Sequence, residues 1–300
     1  MRSDLWSDKD FQKESDDFNV NLSNWRKEGR ISSMLCLRNP DNENNGRRYL
    51  LTLLMDLLYL SEPSDKDLYH KINNRNFGNP YVVKHFDTEI DYDYYYSIQE
   101  YKTLKAYVSL EKKTVLEIGA GYGRLCHSIL SLENIEKYII VDLPETLYIS
   151  KIYLKAVLSE ELFKKITFVD ALNEFSLFSE DVDIVINVDG MNEMLTEVVN
   201  NYLKWIDEHS KYFYGINPVG KYHPSGIYQN KNCFEEFNVK NAVNVGPIQE
   251  VFDLWDYETI KKLVPRYIDV YKPSDNWEVV HHESSLPWLS LHRVIYKNRK

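Results

Sequence analysis

One stretch constrains this chain more than any other. Residues 114–124 read Thr-Val-Leu-Glu-Ile-Gly-Ala-Gly-Tyr-Gly-Arg. Val115, Leu116 and Ile118 form a short apolar run of the kind buried in a parallel sheet. The run stops at Gly119, and Gly121 and Gly123 follow at two-residue spacing. Leu125, Ile129 and Leu132 then recur at helical spacing. Strand, glycine turn and helix in that order open a βαβ unit of nucleotide-binding type. A strand that turns straight into a helix needs backbone angles that glycine reaches cheaply, and without a Cβ the turn can lie against a ligand. The dinucleotide fingerprint G-x-G-x-x-G is not met: the third glycine comes one place early, and Arg124 stands where it is expected.

Downstream of the turn the pattern is regular. Residues 138–141 read as a second strand ending in Asp142, with Pro144 at the first turn of a helix that runs to about Leu158. A third strand over 166–169 ends in Asp170, and a fourth spans 182–188. A helix over 196–209 leads to a fifth strand, 211–216, stopped by Asn217-Pro218. A helix over 256–264 and a closing antiparallel pair, 277–282 with 289–296, complete the reading. Alternating strands and helices imply an α/β fold, a mostly parallel seven-stranded sheet with helices on both faces. Upstream, 47–60 is a helix apolar on nearly every side, ended by Pro63, and 73–80 is loop. Residues 81–108 carry Tyr92, Tyr94, Tyr95, Tyr96, Tyr101 and Tyr107. Those rings suit either a helix packed on the core or a lid over a ligand, since tyrosine buries area and keeps a polar handle. The expected division is an N-terminal helical or lid region, 1–100, and a ligand-binding domain, 101–300.

Charge and length exclude several classes. With 46 acidic against 36 basic residues the net charge is -10, and no basic stripe stands out, which disfavours a nucleic-acid partner. Cys36, Cys126 and Cys233 lie far apart without metal-ligand spacing, as expected in a reducing cytoplasm. The longest apolar stretch, 49–60, is broken by Thr52 and Asp56 and falls well short of the ~20 residues that span a bilayer. The polar, acidic start is no signal peptide. A soluble cytoplasmic protein is the expectation; oligomeric state is not encoded in these features.

Glu117, two residues before the first glycine, would repel a pyrophosphate but attract a ligand bearing an ammonium and a sulfonium. S-adenosylmethionine is such a ligand. The segment from Glu117 to Gly123 resembles the first motif of Rossmann-like, class I S-adenosylmethionine-dependent methyltransferases. In an open α/β sheet ligands sit beyond the carboxyl ends of the strands. On this reading Glu117, Gly119, Ala120, Gly121 and Gly123 cradle the cofactor. Asp142, with Leu143 beside it, takes the ribose hydroxyls, caps the helix at Pro144, or does both. Asp170 and Ala171 meet the adenine amino group, or Asp170 is an ordinary N-cap. Asn187 and Asp189 close the fourth strand. A narrower resemblance, to the sugar O-methyltransferase family, rests on Gly78-Asn79-Pro80 with Tyr81-Val82-Val83, on residues 141–147 (Val-Asp-Leu-Pro-Glu-Thr-Leu), and on residues 187–194 (Asn-Val-Asp-Gly-Met-Asn-Glu-Met). It leaves the first seventy or so residues without a counterpart.

The resemblance implies methyl transfer to a hydroxyl of a sugar or sugar-containing intermediate, a small-molecule acceptor. A base that takes the hydroxyl proton would help. The candidates are Glu193 (otherwise a helix-start carboxylate), Asp189, and His223 in the glycine-bounded loop 220–226 (otherwise a surface histidine). A divalent metal could lower the hydroxyl pKa, but Asp189, Glu193 and His223 follow no metal spacing. His281, His282 and Glu283 are adjacent on a strand, where neighbouring histidines face opposite ways. Two rival readings stay open: the same cofactor with a natural-product hydroxyl or amine as acceptor, and a non-catalytic Rossmann-like module that binds a partner protein.

Overall fold

The computed structural model describes residues 23–28, 43–222, 245–252 and 256–300. Its helices are α1 (Trp25–Glu28), α2 (Glu43–Tyr59), α3 (Pro63–Lys71), α4 (Tyr92–Tyr107), α5 (Arg124–Leu132), α6 (Pro144–Val157), α7 (Glu160–Phe163), α8 (Thr196–His209) and α9 (Tyr257–Val270). The strands are β1 (Val82–His85), β2 (Thr88–Asp91), β3 (Thr114–Ile118), β4 (Lys137–Asp142), β5 (Ile166–Asp170), β6 (Val182–Val188), β7 (Ser210–Pro218), β8 (Lys221–Tyr222), β9 (Val251–Phe252), β10 (Trp277–Ser284) and β11 (Leu291–Asn298).

Seven strands make one sheet in the order β10-β11-β7-β6-β3-β4-β5. The pairs β3–β6, β6–β7 and β4–β5 are parallel, while β7–β11 and β11–β10 are antiparallel. This is the mostly parallel, helix-flanked α/β sheet that the strand–helix alternation implies. The chain leaves β3 for β4 and β5 and returns to place β6 on the other side of β3, so strand order reverses at the β3/β6 pair.

The described residues fall into two compact units. The first holds β3 and everything from Glu174 onward. Its core is the β3–β6–β7–β11 surface, with Val115, Leu116, Ile184, Val185, Ile186, Phe213, Tyr214, Val294 and Ile295 all fully buried. The central strands are apolar on both faces, as a doubly covered parallel sheet requires. The second unit holds the described residues up to Lys113 and residues 120–173. There α6 packs on β4 and β5, and α4 packs on α5.

Three elements differ from the sequence reading. The segment before α4 is a tight hairpin, β1–β2, with Val82 opposite Asp91 and His85 opposite Thr88; two four-residue strands are too short to leave a clear period. Strand β7 does not stop at Asn217 but runs through Pro218, which pairs with Leu291. The β6 register ends at Val188 opposite Ile216, so proline's missing N–H faces no ladder there. Helix α9 continues past Pro265 to Val270, held by buried Tyr267 and by the Tyr296 hydroxyl on the Ile268 carbonyl at 2.7 Å. Tyr92, Tyr94, Tyr95, Tyr96 and Tyr101 are buried in the second unit, and Tyr107 is exposed.

Candidate functional site

In the first unit, the carboxyl ends of β3, β6 and β7 gather polar and charged side chains. Glu117 is buried on β3. Gly119 turns the chain out at φ +73, and a Cβ there would meet nothing closer than 3.8 Å, from Asn187 Nδ2 and Met194 Cε. Asn187 is fully buried at the β3/β6 reversal. Its Nδ2 donates to the Ile118 carbonyl at 2.9 Å, and its Oδ1 accepts from Met191 N at 3.2 Å and Asn217 Nδ2 at 2.8 Å. One amide therefore ties β3, β6 and β7 together and shapes the exit of each; it braces the strand ends.

Beyond Asn187 the backbone changes character. Asp189 sits at φ +53, a left-handed conformation that aspartate tolerates better than most residues. Its N–H donates to the Ile216 carbonyl at 2.7 Å, which continues the ladder and turns the chain. A 3₁₀ turn, Met191–Glu193, follows. Lys221 is nearly buried and donates from Nζ to the Asn192 carbonyl at 2.6 Å. Burial pushes the Asp189 carboxyl up to about 7, opposed by the nearby Lys221 charge. Burial likewise lowers the Lys221 ammonium, with Glu193 and Asp189 pulling it back up. Burial raises the Tyr271 phenol, and the Asp189 charge adds to it. Asp189, Glu193, Lys221 and Tyr271 are thus one electrostatic group.

In the second unit, Gly121 lies at φ +58 with nothing within 4 Å of where a Cβ would be. Gly123, at φ +91, is the opposite case: a Cβ would come 2.7 Å from Leu154 Cδ1. Gly121 keeps space open above the backbone, and Gly123 lets α5 pack close to α6. The Gly121 N–H donates to Asp142 Oδ2 at 3.0 Å, and Leu143 N donates to Asp142 Oδ1 at 2.8 Å. Asp142 is therefore not the helix cap: Leu143 holds that position and makes no side-chain cap. Asp142 ties the glycine turn to the end of β4. Burial pushes its carboxyl up to about 7, against donations from Leu143, Gly121 and Thr146 that pull it down.

Asp170, paired with Asp142 in the β4–β5 register, closes its own turn. It accepts from Leu172 N at 2.8 Å, Asn173 N at 3.3 Å and Asn173 Nδ2 at 2.7 Å. Ala171 N donates to the Asp142 carbonyl at 2.9 Å, which locks the two strand ends side by side. Ala120 carries the first hydrogen bond of the turn, accepting from Gly123 N at 3.0 Å.

His223 lies outside the described residues, as do Cys36 and Cys233; Cys126 is buried in α5. Among the described residues no three His, Cys, Asp or Glu side chains group as metal ligands, and no helix is long and apolar enough to cross a membrane. Sequence reasoning missed Lys221 and Tyr271. Lys221 was within reach, because it precedes His223 in the glycine-bounded loop. Tyr271 follows the part of α9 beyond Pro265, which the proline hides.

No protein-family model matches the chain, and no curated protein matches it. Solved structures resemble it loosely. The mitomycin 7-O-methyltransferase MmcR aligns at 12% identity over 67% of this chain and 54% of its own, with a TM-score of 0.44. The methyltransferase domain of a bacterial CtHen1 aligns at 14% over 68% and 97%, with a TM-score of 0.45. A SAM-dependent methyltransferase from Aquifex aeolicus aligns at 16% over 65% and 87%, with a TM-score of 0.41. The chain spans about half the length of the first of these.

Proposed function

We propose that the protein is an S-adenosylmethionine-dependent methyltransferase that acts on a hydroxyl of a sugar or sugar-containing small molecule. The observation that carries the cofactor assignment is Gly121. Its backbone is in a left-handed conformation, its N–H is fixed on the Asp142 carboxylate, and the space a Cβ would enter is open to 4 Å. A turn built that way admits a ligand against bare backbone and offers an acidic group beside it. Glu117 and Asp142 suit a ligand whose ammonium, sulfonium and ribose hydroxyls are all donors or cations. When bound, that cofactor supplies a sulfonium-activated methyl group.

The chain's own residues do the rest. On this reading Glu117 and the glycines hold the amino-acid end, Asp142 and Leu143 the ribose, and Asp170 and Ala171 the adenine. Asp189 takes the proton of the acceptor hydroxyl, because its carboxyl titrates near neutrality and so serves as a base at working pH. Glu193, half-buried next to Lys221's carbonyl partner Asn192, orients the acceptor. His223 stays a second candidate for the base. The sugar assignment rests on the resemblance of residues 78–83, 141–147 and 187–194 to the sugar O-methyltransferase family and on the polar set at the β6 and β7 ends. Alignment of an acceptor oxygen is worth roughly 7–11 kcal/mol of barrier, which a fixed carboxylate at a bent strand end is suited to provide.

The test is titration calorimetry with S-adenosylhomocysteine. Binding is expected for the unaltered protein and lost in Gly121→Arg, whose side chain fills the open space and strains the left-handed turn. No heat with the unaltered protein ends the proposal. A labelled-methyl screen of nucleotide sugars, free sugars, phenols and amines then fixes the acceptor class.

A further inference from the structure

A segment far upstream of the glycine turn is built into its support. In α1, Arg26 is fully buried. Its Nη2 donates to Asp91 Oδ1 at 2.6 Å and Asp93 Oδ2 at 3.1 Å, and its Nη1 to the Arg75 carbonyl at 2.5 Å. Both carboxylates belong to the start of α4, where Asp91 is the N-cap and accepts from Tyr94 N at 3.1 Å. That first turn of α4 is what the glycine turn leans on. The Tyr122 hydroxyl donates to Asp93 Oδ2 at 3.3 Å, and Arg124 Nη1 donates to the Asp93 carbonyl at 2.9 Å. Arg124 also pairs with buried Glu100 at 2.9 Å.

Next to Arg26, the Trp25 ring meets Tyr122 edge-on at 4.9 Å and Tyr153 at 5.4 Å. The docking is specific. Arg26 N donates to the Gly78 carbonyl at 2.9 Å, and a Cβ on Gly78 would come 2.5 Å from Trp25 Nε1. Asn79 Nδ2 reaches Asn24 Oδ1 at 2.5 Å. The Gly78-Asn79-Pro80 motif thereby forms the seat on which α1 rests.

We infer that Trp25 and Arg26 are positioning residues for the cofactor turn: through Asp93 and Tyr122 they fix the backbone at Gly121–Arg124, so that ligand affinity depends on α1 being seated. Only the affinity part of this inference rests on the methyltransferase reading. The mechanical part stands on the contacts alone. Tyr122 lies between two glycines whose N–H groups go to Asp142 and to the Ala120 carbonyl, and its own ring and hydroxyl contacts add the link from the turn to α4 and α1.

The experiment measures two things on full-length protein. The first is amide hydrogen exchange of peptides covering 120–124 without ligand, with 182–188 as internal reference. The second is S-adenosylhomocysteine affinity. Arg26→Met and Trp25→Ala should speed exchange in 120–124 by about tenfold beyond any change in 182–188, and weaken binding by about tenfold. Arg26→Lys, which keeps the charge but not the planar fork, should recover part of both. Where Arg26→Met does not fold, Tyr122→Phe carries the test, since it removes only the hydroxyl on Asp93; a severalfold change in the same two readouts is expected. Unchanged exchange in folded variants overturns the inference, and so does loosened exchange with unchanged affinity. Faster exchange in a protein whose unaltered form binds no S-adenosylhomocysteine leaves the mechanical link standing and removes the cofactor assignment.

Discussion

Two charged clusters in this molecule set a cation against carboxylates to opposite ends. Around Arg26, in the second unit, a guanidinium meets Asp91, Asp93 and a carbonyl at hydrogen-bonding distance, with almost no water access. Around Asp189, in the first unit, a carboxylate and an ammonium act on one another through space while the ammonium's hydrogen bond goes to the Asn192 carbonyl. A buried guanidinium held by two carboxylates and a carbonyl is structural: its attraction offsets its desolvation only while those partners are present. The Asp189 carboxyl, pushed up to about 7 by burial and without a guanidinium on it, is the one suited to hold and release a proton. On the proposed reading, the difference separates a frame from a working site.

The largest effect that would sharpen this contrast is on stability. Arg26→Met leaves Asp91 and Asp93 buried against an apolar side chain and should cost about 3–5 kcal/mol, read as a shift in the urea midpoint. Asp189→Asn should behave in the reverse way. The folded-state pKa of Asp189 is raised, so the folded chain holds a proton that the unfolded chain gives up between about pH 4 and pH 7. Its burial therefore costs stability as pH rises through that window. An amide in its place should gain on the order of 1 kcal/mol at pH 8 once solvent screening is discounted, and nothing at pH 4. Two variants that destabilise equally at pH 8 would erase the distinction between the clusters.

On activity the ranking inverts. With the acceptor found by the screen, Asp189→Asn should lower kcat about 10²-fold, the scale of a lost general base. Asparagine also tolerates the left-handed backbone at φ +53, so the turn itself should survive. The rising limb of the pH–rate profile near 7 should disappear with it. A full-speed Asp189→Asn enzyme transfers the base role to Glu193 or His223.

How far the sequence reveals these clusters follows from how local each one is. The strands and the glycine turn are legible because an apolar run, a glycine pair and a helical period all fall within about twenty residues. Asp142 is legible as a strand-end carboxylate, but its hydrogen bond to Gly121 N is not, since the likeness of a motif says nothing of which backbone amide a side chain will reach. Asn187 reads as a ligand contact, and its bracing of three strands is not legible, because its partners Ile118 and Asn217 are brought alongside only by the sheet order. Arg26 was hidden for the same reason: its partners are 65 and 67 positions away. Prolines misled twice, ending β7 and α9 too early, because a missing N–H matters only where a partner strand or turn would have used it.

The smallest effect probes the third acidic group, Asp142, which belongs to the second unit yet resembles Asp189 more than it resembles Asp91. Its carboxyl is also pushed up to about 7 by burial, although the Leu143 and Gly121 amides already donate to it. Two ribose hydroxyls donate more strongly to the ionised form, whose oxygens both accept. Protonation therefore competes with the ligand, and S-adenosylhomocysteine affinity should rise about tenfold from pH 6 to pH 8 and level off above. Binding at pH 6.5 should release a fraction of a proton, visible as a difference in apparent enthalpy between buffers of unlike ionisation heat. Asp142→Asn should flatten the pH dependence as well as weaken binding. In Arg26→Lys, by contrast, affinity should drop by a similar factor at every pH, because the turn loosens without any change in what titrates. If the Arg26 variant altered the pH dependence and the Asp142 variant did not, the roles assigned to the two clusters would have to be exchanged.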